Sequence, residues 1–116
     1  MNARTFPTGD LRADARIGQF VAFSELTVPV AGRAAVEAAF GRRLGAVDAW
    51  PGFRGLEVWR DMSDHGSLIM VSYWDSQAEF TDYMHSSDHA HSHARIPGGE
   101  DRPRPQRFRR FEVITQ

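Results

Sequence analysis

Four of the five histidines in this 116-residue chain fall between residues 85 and 93, in the run Tyr83-Met84-His85-Ser86-Ser87-Asp88-His89-Ala90-His91-Ser92-His93. Imidazole titrates near neutral pH and binds transition metals and haem iron readily, so such a cluster is a candidate for acid–base or metal chemistry. His85 and His89, and again His89 and His93, are spaced i, i+4, which places each pair on one face of a helix. That H-x-x-x-H spacing can hold zinc, but no Glu follows the first His as in H-E-x-x-H, and no third ligand is evident. His91 falls on a different face and reads as solvated. There is no Cys, so any metal must be held by His or carboxylate, and disulfide or thiolate chemistry is excluded. All 14 basic residues are Arg, which excludes a Schiff-base lysine.

The elements that must position these side chains can be read from hydrophobic patterning. Residues 1–17 are polar and read as a flexible leader; 18–116 read as one domain. Phe20 to Val28 reads as a strand stopped by Pro29. Ala31 to Asp48 is alanine-rich, with Val36, Phe40, Leu44 and Val47 at helical spacing, and predicts one amphipathic helix that ends at Trp50-Pro51-Gly52-Phe53. Two strands follow, Phe53–Arg60 and Ser67–Trp74, around the polar Asp61-Met62-Ser63-Asp64-His65-Gly66. Ser76-Gln77-Ala78-Glu79 has the form of a capping box, whose hydroxyl and carboxylate should satisfy free amides of a second helix reciprocally. That helix is expected to break or re-cap at Ser86-Ser87-Asp88 and to run on to about Ala94. Arg107 to Thr115 predicts a last strand.

The order β-α-β-β-α-β predicts an α+β, ferredoxin-like fold, with two helices on one face of a four-stranded antiparallel sheet. In the third strand Leu68 and Met70 alternate with Ile69, Val71 and Tyr73, so both faces are apolar. In the second, Leu56 and Val58 alternate with Phe53 and Trp59. One face is covered by the helices; the other calls for a partner, and a homodimer with sheets face to face is expected.

Composition bounds the rest. Hydrophobic content of 41% and charge of 25% are ordinary for a globular domain. A net charge of −1 speaks against a general nucleic-acid binder. No apolar run could span a bilayer, and the N-terminus lacks the apolar core of a secretory signal, so a cytoplasmic protein without membrane partners is expected.

Three segments carry a resemblance. Asp48-Ala49-Trp50-Pro51-Gly52-Phe53-Arg54-Gly55, then Val71-Ser72-Tyr73-Trp74-Asp75-Ser76-Gln77-Ala78-Glu79-Phe80, then the histidine-bearing helix, resemble the antibiotic-biosynthesis monooxygenase superfamily over roughly residues 19–115. Within it the chain looks most like the haem-degrading branch. The resemblance implies a dimeric α+β barrel and a haem bound between the sheet and the second helix through one histidine. It also implies an Asn on the first strand and a Trp on the second helix. The ligand position falls on His93, with His89 one turn away as a second imidazole. The Trp position falls on Tyr83 and the Asn position on Ser24. Ser can donate one hydrogen bond but is shorter than Asn. Tyr offers a smaller face plus a phenol.

Haem is therefore the candidate cofactor or substrate, with Ser24 and Tyr83 shaping the pocket. The second branch of the superfamily, which oxidises quinol-like or polyketide aromatics without cofactor, suits a phenol at 83. A non-enzymatic dimeric binding or stress protein on the same fold is the third alternative. Each residue also has a plain structural role open to it: Ser24 bonded to a local carbonyl, Tyr83 packed on Phe80, His93 at a helix C-terminus where the dipole favours a cation. Arg102, Arg104, Arg107, Arg109 and Arg110 read as a solvated edge or, alternatively, as a clamp for carboxylates such as haem propionates.

Overall fold

The computed structural model describes residues 16–41, 46–93 and 102–116, the side chains of residues 46 and 91–93 excepted. Strand β1 (Phe20–Thr27) leads through a short 3-10 turn, Val30–Gly32, into helix α1 (Arg33–Gly41). A second 3-10 turn, Ala46–Ala49, precedes strands β2 (Phe53–Arg60) and β3 (Ser67–Trp74). Helices α2 (Gln77–Met84) and α3 (Ser87–His93) and strand β4 (Arg104–Glu112) complete the domain. The sheet is antiparallel in the order β2-β3-β1-β4, the ferredoxin-like arrangement expected from the element order. No described helix is long and apolar enough to cross a membrane. Of the expected leader, residues 1–15 lie outside the described residues. Arg16 is held in place: its amide donates to the Gln116 side chain, and its guanidinium lies 4.1 Å from the Tyr73 ring centroid.

Several boundaries differ from expectation, each for a local reason. The predicted helix 31–48 is a shorter α1 flanked by two 3-10 turns, and Leu44 lies outside the described residues. Val36 and Phe40 pack at one end of the sheet while Val47 packs at the other, so no single straight helix could serve all three. β4 starts three residues earlier than Arg107 and stops at Glu112. Among the described residues its strand partner is β1, whose first residue, Phe20, is opposite Glu112. Pro105 is tolerated because β4 is an edge strand.

The capping box is also modified. Ser76 is extended and stands at the N-cap, but its hydroxyl donates to the Glu79 carboxylate rather than accepting from a helix amide. Glu79 is drawn over Gly52, where a Cβ would meet its side-chain carbons at 2.7–2.9 Å and where φ is +82°. Glycine is therefore demanded at 52 twice over, by space and by backbone conformation.

Register fixes the two faces. Phe20, Ala22, Ser24 and Leu26 of β1 stand opposite Trp74, Ser72, Met70 and Leu68 of β3, and this face meets the helices. The β2 ladder shifts between Phe53 and Gly55, leaving Arg54 as an extra residue. This bulge corrects the plain alternation read from sequence: Phe53 joins Leu56 and Val58 on the helix face instead of sharing the other face with Trp59. The opposite face carries Val21, Phe23, Ile69, Val71, Tyr73, Trp59 and Phe111. Val71 is buried within it, while Trp59 and Phe111 remain 46% and 40% exposed.

Under the helices lie two separate clusters. At one end Val28, Val36 and Leu68 close completely, with Phe40 against them. At the other, Val47, Trp74 and Tyr83 are surrounded by Phe20, Trp50, Phe53 and Phe80.

Candidate functional site

Between the two clusters the helix face is less covered. Ser24, Met70 and Val58 form one cross-strand row, continued on β4 by Phe108. Ser24, Met70 and Val58 are half-buried, and Phe108 is 50% exposed while its ring stacks on Phe80 of α2 at 5.9 Å and 12°. The Ser24 hydroxyl has no hydrogen-bond partner among the described residues. A lone hydroxyl on an apolar row suits a ligand that is flat, apolar and able to accept or donate one hydrogen bond.

Tyr83 is placed differently. It is 8% exposed, its ring edge-on to Trp50 at 5.4 Å and tilted against Trp74 at 5.6 Å. The Trp74 ring is in turn fixed by its indole N–H, which donates to the buried Ser72 hydroxyl at 2.9 Å. Tyr83 is thus built into the aromatic cluster rather than laid against an open surface. It stands over Trp74, the partner of Phe20, whereas Ser24 lies four residues further along β1, about 13 Å at roughly 3.3 Å per residue.

Helix α3 begins where the sequence suggested a re-cap. The Ser86 hydroxyl donates to the Tyr83 carbonyl at 2.6 Å and accepts from the His89 amide at 3.1 Å, so one side chain ends α2 and starts α3. The half-buried His89 ring packs edge-on to Tyr83 at 5.3 Å and 70°. Phenol and imidazole are therefore brought together. His85 is exposed at the C-cap of α2. His93 ends α3, and its side chain, like that of His91, lies outside the described residues. Among the described residues no group of three His, Cys, Asp or Glu could hold a metal ion, which leaves the zinc reading without support there.

The arginine run divides between the faces. Arg107 pairs with Glu25 at 3.3 Å and the Arg109 guanidinium lies 4.8 Å from the Phe111 ring centroid, both on the face away from the helices. Arg110, opposite Ala22, is on the helix face. Two further pairs hold the frame. Arg54 grips Asp75 through two bonds of 2.6 and 2.8 Å, and Arg60 grips Glu37 of α1 through bonds of 3.0 and 2.6 Å. In each pair the hydrogen bond from the guanidinium lowers the carboxyl pKa below its ordinary value.

A family model described as antibiotic biosynthesis monooxygenase matches residues 20–95. The chain belongs to the antibiotic biosynthesis monooxygenase family. Solved structures agree on the fold. A Bordetella bronchiseptica protein assigned to antibiotic biosynthesis monooxygenases superposes with a TM-score of 0.73 at 16% identity, covering 84% of this chain and 99% of its own. The haem-degrader MhuD of Mycobacterium tuberculosis, with two haems bound in its active site, gives 0.69 at 24%, covering 84% and 97%. SnoaB of Streptomyces nogalater, a cofactor-independent oxygenase, gives 0.66 at 14%, covering 85% and 96%. Proteins of this fold thus include both a haem-degrader and an oxygenase that needs no cofactor.

Sequence reasoning missed the Met70–Val58–Phe108 row and the Phe80–Phe108 stack. Phe108 sits in a run of arginines, and only its register with Ser24 shows that it belongs to the helix face.

Proposed function

We propose that the chain is an oxygen-dependent monooxygenase that binds a flat aromatic substrate over the Ser24–Met70–Val58–Phe108 row, with haem as the leading candidate. The observation that carries this reading is that row: apolar and half-buried, with one unpartnered hydroxyl, between two closed clusters, in a family of monooxygenases. The donor set fits an iron porphyrin, since α3 offers imidazoles one turn apart at His89 and His93 and the row offers an apolar floor. Haem iron, when bound, would supply the activation of oxygen. On the protein side, His93 is the proposed ligand and His89 stands one turn away. Ser24 donates a single hydrogen bond, and Met70, Val58 and Phe108 exclude water from the ring face. Tyr83 supports this arrangement from within the cluster by holding His89.

Titration of the purified protein with haemin is expected to give a Soret shift that His93→Ala abolishes and His89→Ala weakens. Absence of a shift, or a shift indifferent to His93→Ala, sinks the haem assignment.

A second reading rests on the Tyr83–His89 contact. A phenol packed against an imidazole can serve as the base of a cofactor-free oxidation, each ring fixing the orientation of the other. Oxygen uptake with dihydroxyaromatics in metal-free buffer, lost in His89→Ala, would support it. A protein that neither shifts the Soret band nor consumes oxygen would be a binding protein on this fold.

The apolar face opposite the helices supports a homodimer through that face, as the exposure of Trp59 and Phe111 suggests. Light scattering on wild type and Trp59→Glu tests it; a monomeric wild type would refute the dimer.

A further inference from the structure

Cations on the helix face of the sheet are few, and their pairing differs. Arg60 is consumed by Glu37 in a two-bond ion pair. Arg110, opposite Ala22, is the other strand arginine on this face, and it has no ion pair among the described residues. Its neighbours on the same edge are engaged: Arg107 with Glu25, Arg109 with the Phe111 ring. Two residues along β4, on the same face, stands Phe108, half-exposed and stacked on Phe80. Successive same-face side chains on a strand are about 7 Å apart, roughly the distance from the centre of a bicyclic ring to an attached carboxyl group. Glu112, the next same-face residue, is exposed and makes no ion pair with Arg110 among the described residues.

We infer that Arg110 is a specificity-determining residue that selects planar aromatic substrates bearing a carboxylate, the ring resting by Phe108 and the acid meeting the guanidinium. The inference rests on the proposed aromatic site and adds the charge of its occupant. Guanidinium is suited to the role because its planar fork can bind both carboxylate oxygens at once, and it is charged at every physiological pH. The side chain is exposed on an edge strand, so it can be changed without disturbing either cluster.

Calorimetric titration of the full chain with 1-hydroxy-2-naphthoate and with 1-naphthol separates ring from charge. The acid is expected to bind wild type more tightly. Arg110→Gln should weaken the acid about tenfold and leave 1-naphthol unchanged, a size typical of a lost charge-assisted hydrogen bond. Arg104→Gln removes the same charge from the same strand and is expected to leave both affinities alone. Equal binding of the two compounds to wild type, or equal loss of the acid in both arginine variants, overturns the role of Arg110 while the aromatic site stands. If neither compound binds while haemin does, the inference falls and the aromatic site stands; if haemin fails to bind as well, both fall.

Discussion

The two clusters under the helices are made of different materials. Val28, Val36, Leu68 and Phe40 form a small patch under α1 with no polar atom in its side chains. The cluster at the other end is built from Trp50, Trp74, Tyr83 and three phenylalanines, and it carries an indole N–H, a phenol and, at its rim, the His89 imidazole. The first patch ties α1 to the sheet and has nothing that could react. The second does the same mechanical task for α2 and also fixes the orientation of groups capable of chemistry. Large aromatics suit that double task, because each buries much area while a single polar handle sets its rotation. The candidate substrate row lies between the two, so stability and binding should separate when each is damaged in turn.

The largest effect is expected from Trp74→Ala, at about 3–5 kcal/mol, because a fully buried indole is lost and Tyr83 loses its support. Chemical denaturation should show the loss, and haemin or naphthoate binding should fall with it in the molecules that stay folded. Leu68→Ala should cost about 2–5 kcal/mol by the same assay yet leave ligand affinity intact at temperatures where the variant is folded. If Leu68→Ala erases binding as Trp74→Ala does, the division of labour is wrong.

Gly52→Ala tests the turn that carries Glu79. It should destabilise by about 1–2 kcal/mol, since alanine is strained at this backbone conformation and its methyl meets the Glu79 side chain. Tyr83→Phe keeps the ring contacts, so thermal unfolding should shift only by what about 1 kcal/mol produces. A far larger loss of oxygen uptake in that variant would move the balance toward the cofactor-free reading.

The smallest effect concerns pH. The Arg60 hydrogen bond holds the Glu37 carboxyl below its ordinary value of 4.5 in the folded chain. A lowered folded pKa means that stability is fully present above the unfolded value and fades as pH falls through the folded one. Glu37→Gln should therefore flatten the stability profile below about pH 4.5 while hardly altering it at neutrality, a contrast that urea melts at pH 3.5 and 7 can read.

Long periodic elements were legible in the sequence. Strands Phe53–Arg60 and Ser67–Trp74 and the break at Ser86 were all set by local signals: alternation, turn residues, a capping hydroxyl. What alternation could not show was the extra residue in β2, since a bulge is a property of the pairing and not of one strand. The site was legible in part. The position of Ser24 on the helix face followed from its phase with Leu26, but whether that face pointed to the helices depended on β3. The deep placement of Tyr83 could not be read from its spacing to Phe80, because Trp50 and Trp74 reach it from remote parts of the chain. For Arg110, five arginines in nine residues looked alike until strand register assigned each to a side.

The bulge at Arg54 has a consequence for how this domain tolerates insertions and deletions. It acts as a frame adjuster: one residue out of the ladder sets Phe53 in phase with Leu56 and frees Arg54 to reach Asp75. Deleting Arg54 would remove the bulge and leave Phe53 in phase with Leu56 by plain alternation, at the cost of the pair with Asp75. A neighbouring strand could accept a point substitution with little consequence, whereas here the length of the segment, more than its chemistry, decides which side of the sheet each residue serves.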